Sequence, residues 1–270
     1  MSIAGSDNSA GAGIQADLKT FAALGVYGLT AVTCVVAEAP GTVESVQPMA
    51  PDLVARQIRL GLDHFPVAAI KTGMLYSAAI IRSVLDSLKS IALPLVVDPV
   101  MVATSGDSLL LPDATALYRD ALIPAATLVT PNLDEAAALL GRPIATPEEM
   151  RVAGAELTGR FGVPFLVKGG HLRGDRALDL LFHGGSVFEF ESPFRHGVST
   201  HGTGCTFSAA ITAGLAKGLA LPEAVAAGKQ FVADAIGHAF RWVSPRGPVD
   251  ALNHLRPGGS SPSFEDPARP

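Results

Sequence analysis

Thr127-Leu128-Val129-Thr130-Pro131-Asn132-Leu133-Asp134-Glu135-Ala136-Ala137-Ala138-Leu139-Leu140 contains a strand, a turn and a helix in 14 residues. Residues 127–130 form a short apolar run without in–out alternation, the pattern of a parallel strand covered on both faces. Pro131 stops the ladder. Asn132 can cap the helix over 134–140, with Glu135 in the capping-box position. The same unit recurs outward in both directions. Strand-like runs lie at 29–36, 67–71, 93–98 and 164–168, and helical patterns at 14–24, 51–62, 78–88 and 147–161. This βαβα order predicts an α/β fold with a doubly wound, mostly parallel sheet. Residues 177–182 and 186–190 flank His183-Gly184-Gly185 and read as a small hairpin. Two long helices, 203–217 and 222–240, close the chain. There is no internal repeat or linker, so residues 1–255 read as one domain, and the Pro-, Gly- and Ser-rich stretch 256–270 as a disordered tail.

Composition narrows the function classes. Hydrophobic residues make up 48% of 270 and charged residues 17%, below the roughly 25% of average soluble chains, so the chain is not disordered as a whole. The net charge is −5 and there is no Lys/Arg run, which argues against nucleic acid as a partner. No apolar run reaches the length of a membrane span, and the start has no signal-peptide pattern. A reduced cytoplasm is therefore expected. Cys34 and Cys205 are too isolated for a disulfide framework or a CxxC metal site.

Three Gly-rich loops sit where strands end or helices begin. The first is Ala4-Gly5-Ser6-Asp7-Asn8-Ser9-Ala10-Gly11-Ala12-Gly13. The second, His201-Gly202-Thr203-Gly204-Cys205-Thr206, opens a helix, where backbone N–H groups and the helix dipole favour an anion. Cys205 in that first turn is expected to have a depressed pKa, whereas Cys34 in mid-strand reads as an inert packed thiol. The third, Val167-Lys168-Gly169-Gly170-His171, ends a strand, and Lys168 can touch phosphate as a point charge. Asp98, Asn132 and Glu135 are oxygen donors of the kind that hold Mg²⁺, although Asn132 and Glu135 also read simply as a cap. Asp98, Glu135, Lys168 and the 202–205 loop all fall at the carboxyl edge of one sheet, where α/β ligand sites gather.

These blocks, with Gln15-Ala16-Asp17-Leu18-Lys19, Lys71-Thr72-Gly73-Met74-Leu75, Asp98-Pro99-Val100-Met101 and Ser105-Gly106-Asp107, resemble the hydroxymethylpyrimidine/phosphomethylpyrimidine kinases of thiamine biosynthesis, members of the ribokinase superfamily. The resemblance runs from residue 3 to about 240. It implies a ribokinase-like three-layer sandwich, ATP and Mg²⁺ as cofactors, a small-molecule pyrimidine substrate and a homodimer. Gly5, Asp7, Ala12, Gly73, Met74 and Val100 would surround the pyrimidine. Asp98, Asn132, Glu135 and Lys168 would serve Mg²⁺ and the ATP phosphates, with Thr203 beside the nucleotide. Gly202, Gly204 and Cys205 would form the anion hole. Many relatives have Asp where this chain has Cys205, so the thiol is either a base or an orienting group. The loop through Thr104-Ser105-Gly106-Asp107 would cover the site.

Two departures carry expectations of their own. Relatives place Gln where Glu38 stands, binding the pyrimidine edge with one donor and one acceptor; a carboxylate only accepts. Glu38 is expected to take the 4-amino group, and to pair with the ring nitrogen when either partner carries a proton. The bland alternative leaves Glu38 facing solvent. Only Met1 and Ser2 precede the Ile3-Ala4-Gly5-Ser6-Asp7 block, so either the first strand is shortened or this start lies downstream of the natural one. Two other readings stay open: a pyridoxal kinase of the same superfamily, and a vitamer-binding relative that has lost transfer. A dinucleotide-dependent oxidoreductase lacks its fingerprint here.

Overall fold

The computed structural model describes residues 1–39, 41–101, 109–170, 175–198, 201–245 and 247–255. The expected covering loop at Thr104–Asp107, His171 and the 256–270 tail lie outside them. The elements run β1 (Ser2–Asp7), α1 (Gly13–Ala23), β2 (Thr30–Ala39), β3 (Thr42–Pro48), α2 (Pro51–His64), β4 (Ile70–Thr72), α3 (Ala78–Leu88) and β5 (Leu95–Val97). After a short helical segment, α4 (Ala114–Leu117), come β6 (Leu128–Val129), α5 (Leu133–Leu140), α6 (Pro147–Phe161), β7 (Phe165–Lys168), β8 (Arg176–His183), β9 (Ser186–Pro193), α7 (Thr203–Ala216), α8 (Leu221–Gly237), β10 (Phe240–Ser244) and β11 (Gly247–Ala251).

Nine strands form one sheet in the order β3-β2-β1-β4-β5-β6-β7-β8-β9. The middle is parallel; β3, β8 and β9 extend it antiparallel at the two edges. The predicted hairpin is therefore not a separate decoration but two full strands on the sheet. Strand alternation divides the interior in two. Val97, Val129, Val167 and Leu180 face one core, with α2, α3, α5 and α6; Val96, Leu128, Leu166 and Leu181 face the other, with α7 and α8. The short central runs read as unpatterned because both faces are apolar. This is the expected three-layer α/β sandwich.

β1 begins at Ser2, pairs with β2 along Ser2–Asp7 and with β4 at Ser2 and Ile3. Where the final helix was expected to reach residue 240, α8 stops at Gly237 and Phe240 opens β10. The β10–β11 hairpin stacks Phe240 on Trp242 and was not foreseen. No described helix is long and apolar enough to cross a membrane.

Gly154 on α6 shows how closely the layers meet: a Cβ there would stand 2.0 Å from the Phe182 ring. Overpacking of this kind costs about 1–3 kcal/mol. Gly154→Ala is expected to lower Tm by several degrees without altering substrate KM, which a thermal melt beside steady-state kinetics checks.

Candidate active site

The site is built at the carboxyl edge of β1, β2, β4, β5 and β7. One cleft, with about 340 Å³ of room, is lined by the residues that the resemblance assigns to substrate, nucleotide and metal, and by Glu38: Gly5, Asp7, Ala12, Glu38, Gly73, Met74, Asp98, Val100, Asn132, Glu135, Lys168, Gly202, Thr203, Gly204 and Cys205.

Its floor is the meeting of two glycine loops. Gly202 has φ +82°, and a Cβ on it would lie 1.8 Å from the Gly11 carbonyl oxygen. Only glycine lets backbone approach backbone this closely. Gly5 sits at an irregularity in the β1–β2 pairing, which turns the strand end toward the cleft. Beyond it, the Asp7 carboxylate accepts the N–H groups of Ser9 (2.6 Å) and Ala12 (2.7 Å) and the Ser9 hydroxyl (2.9 Å). His201 Nε2 lies 3.3 Å from the same carboxylate. Burial opposes ionisation of Asp7, but His201 and these donors outweigh it and hold its pKa well below the usual carboxylate range. In return the hydrogen bond to Asp7 raises His201 against the effect of burial.

The opposite end is organised on Asp98, one residue past β5. Its Oδ1 accepts from Lys168 Nζ and the Thr130 hydroxyl, both at 3.0 Å, and its Oδ2 from the Ser208 hydroxyl at 3.0 Å. Burial would push Asp98 up, but Lys168 and Lys71 outweigh it and hold it down. Burial would push Lys168 down, and the Asp98 and Glu135 charges keep it up. The Lys168 ammonium sits against the start of α7: a Cβ on Gly204 would be 3.1 Å from it. The Thr203 hydroxyl there is buried and has no hydrogen-bond partner among the described residues. An ammonium and a helix N-terminus thus converge on one place, which suits a phosphoryl group.

Asn132 and Glu135 form the capping box that the sequence allowed: Asn132 Oδ1 accepts from Glu135 N and Glu135 Oε2 from Asn132 N, both at 2.8 Å. Both also face the cleft, so the cap and the site readings coexist. Glu38 lines the cleft and does not simply face solvent. Its side chain is aimed by a bulge at Ala37/Glu38 in the β2–β3 pairing.

One expectation fails. Burial pushes the Cys205 thiol up to about 11, with Lys71 and the Gly13 N–H opposing and the Asp17 and Asp98 charges adding to it. The helix N-terminus was expected to depress it, but a closed site with two carboxylates nearby prevails. Cys34 is the inert buried thiol expected, likewise pushed up to about 11 by burial.

Several site residues were not legible in sequence. His201 meets Asp7 across 194 positions of chain. Lys71, beneath the anion hole, is fully buried on Asp17 and reaches the Cys205 carbonyl at 3.4 Å. Asp179 and Lys229 form a buried pair at 2.6 Å on the far wall, beside Phe207, Val232 and Ile236. In the sequence that wall showed only as the hairpin strand 177–182 and the helices 203–217 and 222–240, with no role in the site.

Known proteins resemble this chain over most of its length. A hydroxymethylpyrimidine/phosphomethylpyrimidine kinase of Rhizobium meliloti is 47% identical over 252 residues, spanning 92% of this chain and 95% of that one. Among solved structures, an ADP complex of Bacillus subtilis pyridoxal kinase superposes with TM-score 0.85 at 39% identity, covering 94% and 97% of the two chains. A phosphomethylpyrimidine kinase from Clostridium difficile gives 0.76 at 38% identity, covering 87% and 97%. The family described as phosphomethylpyrimidine kinase matches residues 7–250. A chain that carries this match over nearly all its folded length, on the fold and cleft just described, belongs to the phosphomethylpyrimidine kinase family.

Proposed function

We propose that the chain transfers a phosphoryl group from ATP to the hydroxymethyl group of 4-amino-5-hydroxymethyl-2-methylpyrimidine, and then phosphorylates the monophosphate to the pyrophosphate, in thiamine biosynthesis. The observation that carries this reading is the one cleft that the assigned residues line together. In this reading Gly5, Asp7, Glu38, Met74 and Val100 take the ring, Lys168, Thr203 and the start of α7 take the phosphate, and Cys205 serves the acceptor hydroxyl. The ADP bound by the Bacillus relative supports ATP as donor.

Phosphoryl transfer needs positioning and charge neutralisation more than covalent help. Lys168 and the free N–H groups of α7 neutralise charge on the transferring group. Asp98 fixes Lys168 through their 3.0 Å contact. Cys205 orients the acceptor hydroxyl as a neutral thiol. Mg²⁺ fits the donors present. Asp98 and Glu135 are two buried carboxylates in one cleft; burial pushes Glu135 up to about 8, with Lys168 opposing and the Asp98 charge adding. A divalent ion would favour the ionised form that burial disfavours, with Asp98, Glu135 and Asn132 as direct or water-mediated ligands. When bound, the ion would neutralise and align the ATP phosphates.

The orienting role of Cys205 predicts that Cys205→Ser keeps kcat within about tenfold, because a hydroxyl still hydrogen-bonds; loss of a general base costs roughly 10²–10⁴. A fall into that range would make the thiol the base. For the reaction itself, product analysis with Mg-ATP and either the free alcohol or its monophosphate is expected to give mono- and pyrophosphate. Pyridoxal kinase is the second reading, kept by the Bacillus superposition; preferential turnover of pyridoxal would establish it. A homodimer and a cytoplasmic location complete the proposal on the resemblance alone, and sedimentation velocity tests the dimer.

A further inference from the structure

The far wall of the cleft holds a charged pair to which the transfer mechanism gives no task. Asp179 interrupts the apolar run of β8, between Leu178 and Leu180. Lys229 interrupts the inward stripe of α8, between Val225 and Val232. Both side chains are buried, and they meet at 2.6 Å on the cleft wall. Their other contacts show what the pair holds. Lys229 Nζ also donates to the Ala177 carbonyl oxygen at 2.8 Å. The second Asp179 oxygen accepts the Gly169 N–H at 3.0 Å. Gly169 is the residue after Lys168, and Asp179 stands opposite Lys168 in the β7–β8 register.

Tying α8 to β8 does not need charges. An apolar pair of similar volume packs as well as a buried ion pair, because desolvation offsets the attraction between the ions. Holding a backbone N–H does need an acceptor, and a carboxylate is a stronger one than a neutral group. The Gly169 N–H is shared between Asp179 and the Leu178 carbonyl, the latter at 2.9 Å. On the other side the Lys168 N–H donates to the Pro131 carbonyl at 2.8 Å. The backbone that carries the Lys168 side chain is therefore pinned from both neighbouring strands, and its ammonium is held by Asp98 at 3.0 Å.

We propose that Asp179 and Lys229 are positioning residues for phosphoryl transfer: Lys229 orients the Asp179 carboxylate, and Asp179 fixes the peptide after Lys168, so that the Lys168 ammonium is presented at the start of α7. This deepens the kinase reading and rests on it for the reaction. The contacts run from α8 through Lys229, Asp179 and Gly169 to Lys168 and end on Asp98. Burial pushes Asp179 up, while the Lys229 charge, the Gly169 N–H and the Lys168 charge all oppose it. Without Lys229 the carboxylate is left unpaired in a wall otherwise built of Phe207, Val232 and Ile236. A displacement of about 1 Å at a group that meets the reacting atoms costs up to ~10²-fold in rate, so a loosened Lys168 turn is felt in the transfer step.

The test is steady-state kinetics with 4-amino-5-hydroxymethyl-2-methylpyrimidine and Mg-ATP, beside thermal melts, on the full chain. Asp179→Val/Lys229→Met exchanges the ion pair for apolar side chains of similar volume, and Tm is expected to stay within a few degrees of wild type. Its kcat is expected to fall about 10–100-fold with the pyrimidine KM within about twofold, because the loss is confined to the transferring group. A pair that only supports the fold would leave kcat intact. Lys229→Met alone is expected to lower kcat as far and Tm further, since it strands the carboxylate. Asp179→Asn keeps the shape and leaves Gly169 a weaker, neutral acceptor, so a fall of about 3–10-fold is expected; this variant decides if the double variant does not fold. Wild-type kcat in any of these variants overturns the proposal. A pyrimidine KM raised as far as kcat is lowered also overturns it, by placing the pair in ring binding. No product from the wild-type chain refutes the kinase reading and this inference with it; wild-type turnover that the variants match refutes this inference alone.

Discussion

Lys71→Met is expected to cost about 3–5 kcal/mol of stability, the range for stranding one member of a buried ion pair. Lys71 and Asp17 have no solvent exposure. Lys71 Nζ lies 2.5 Å from Asp17 Oδ1, and Asp17 Oδ2 accepts the Ser2 hydroxyl at 2.5 Å. Removing the ammonium leaves a buried carboxylate with one hydroxyl for company. For a chain of this size each kcal/mol moves Tm by roughly 2–4 °C, so a fall of about 10 °C is expected in a thermal melt. The double variant Lys71→Met/Asp17→Leu is expected to regain most of that loss, because an apolar pair of similar volume replaces a costly ionic one. It is not expected to regain activity, since the positive charge under the Cys205 carbonyl is gone. Burial alone would lower the Lys71 pKa, but the Asp17 charge, with smaller contributions from Cys205 and Asp98, raises it above the ordinary value. The folded chain thus holds this proton more tightly than the unfolded chain, whose value is about 10.4. The contribution is whole below about pH 10 and fades as pH rises through the folded value. A Lys71→Met protein within 1 kcal/mol of wild type would show that the pair is not a structural support.

Lys168→Met is expected to lower kcat by about 10²–10³, the effect of removing one preorganised donor from a developing charge. Its ammonium sits 3.0 Å from Asp98 Oδ1 at the start of α7, on the phosphate side of the cleft. KM for the pyrimidine should therefore change little. Lys168→Arg is not expected to rescue the loss, because a planar guanidinium does not present its charge at the point where the compact ammonium sits against Gly204. Steady-state kinetics at saturating ATP check this. A raised pyrimidine KM with kcat intact would place Lys168 on the ring side.

What the sequence revealed follows from where the information is local. The run Leu95–Val97 ending on Asp98, the Asn132–Glu135 cap and the glycine loops each carry their meaning within a few residues, so the parallel sheet and the line of the cleft could be read directly. β3 was missed because Thr42–Pro48 is an exposed edge strand, without the continuous apolar run of the central strands and ending in Pro. The β10–β11 hairpin was hidden because α8 runs to within three residues of it. Pair relations between distant segments left no trace: Asp7 with His201, Asp17 with Lys71, Asp179 with Lys229. The Cys205 thiol was misread for the same reason. Its helix position is local and visible, whereas the Asp17 and Asp98 charges arrive from other strands and helices.

The contact of Gly202 on Gly11 has a consequence for the two-step reaction. The two acceptors differ in length by one phosphate group, yet at this contact backbone meets backbone, with no side chain of Gly202 or Gly11 to change rotamer. Such a floor acts as a ruler with a single marking. The longer acceptor must meet the same mark, so its ring has to sit farther back than that of the alcohol. The enzyme would then keep its measure and let the substrate slide.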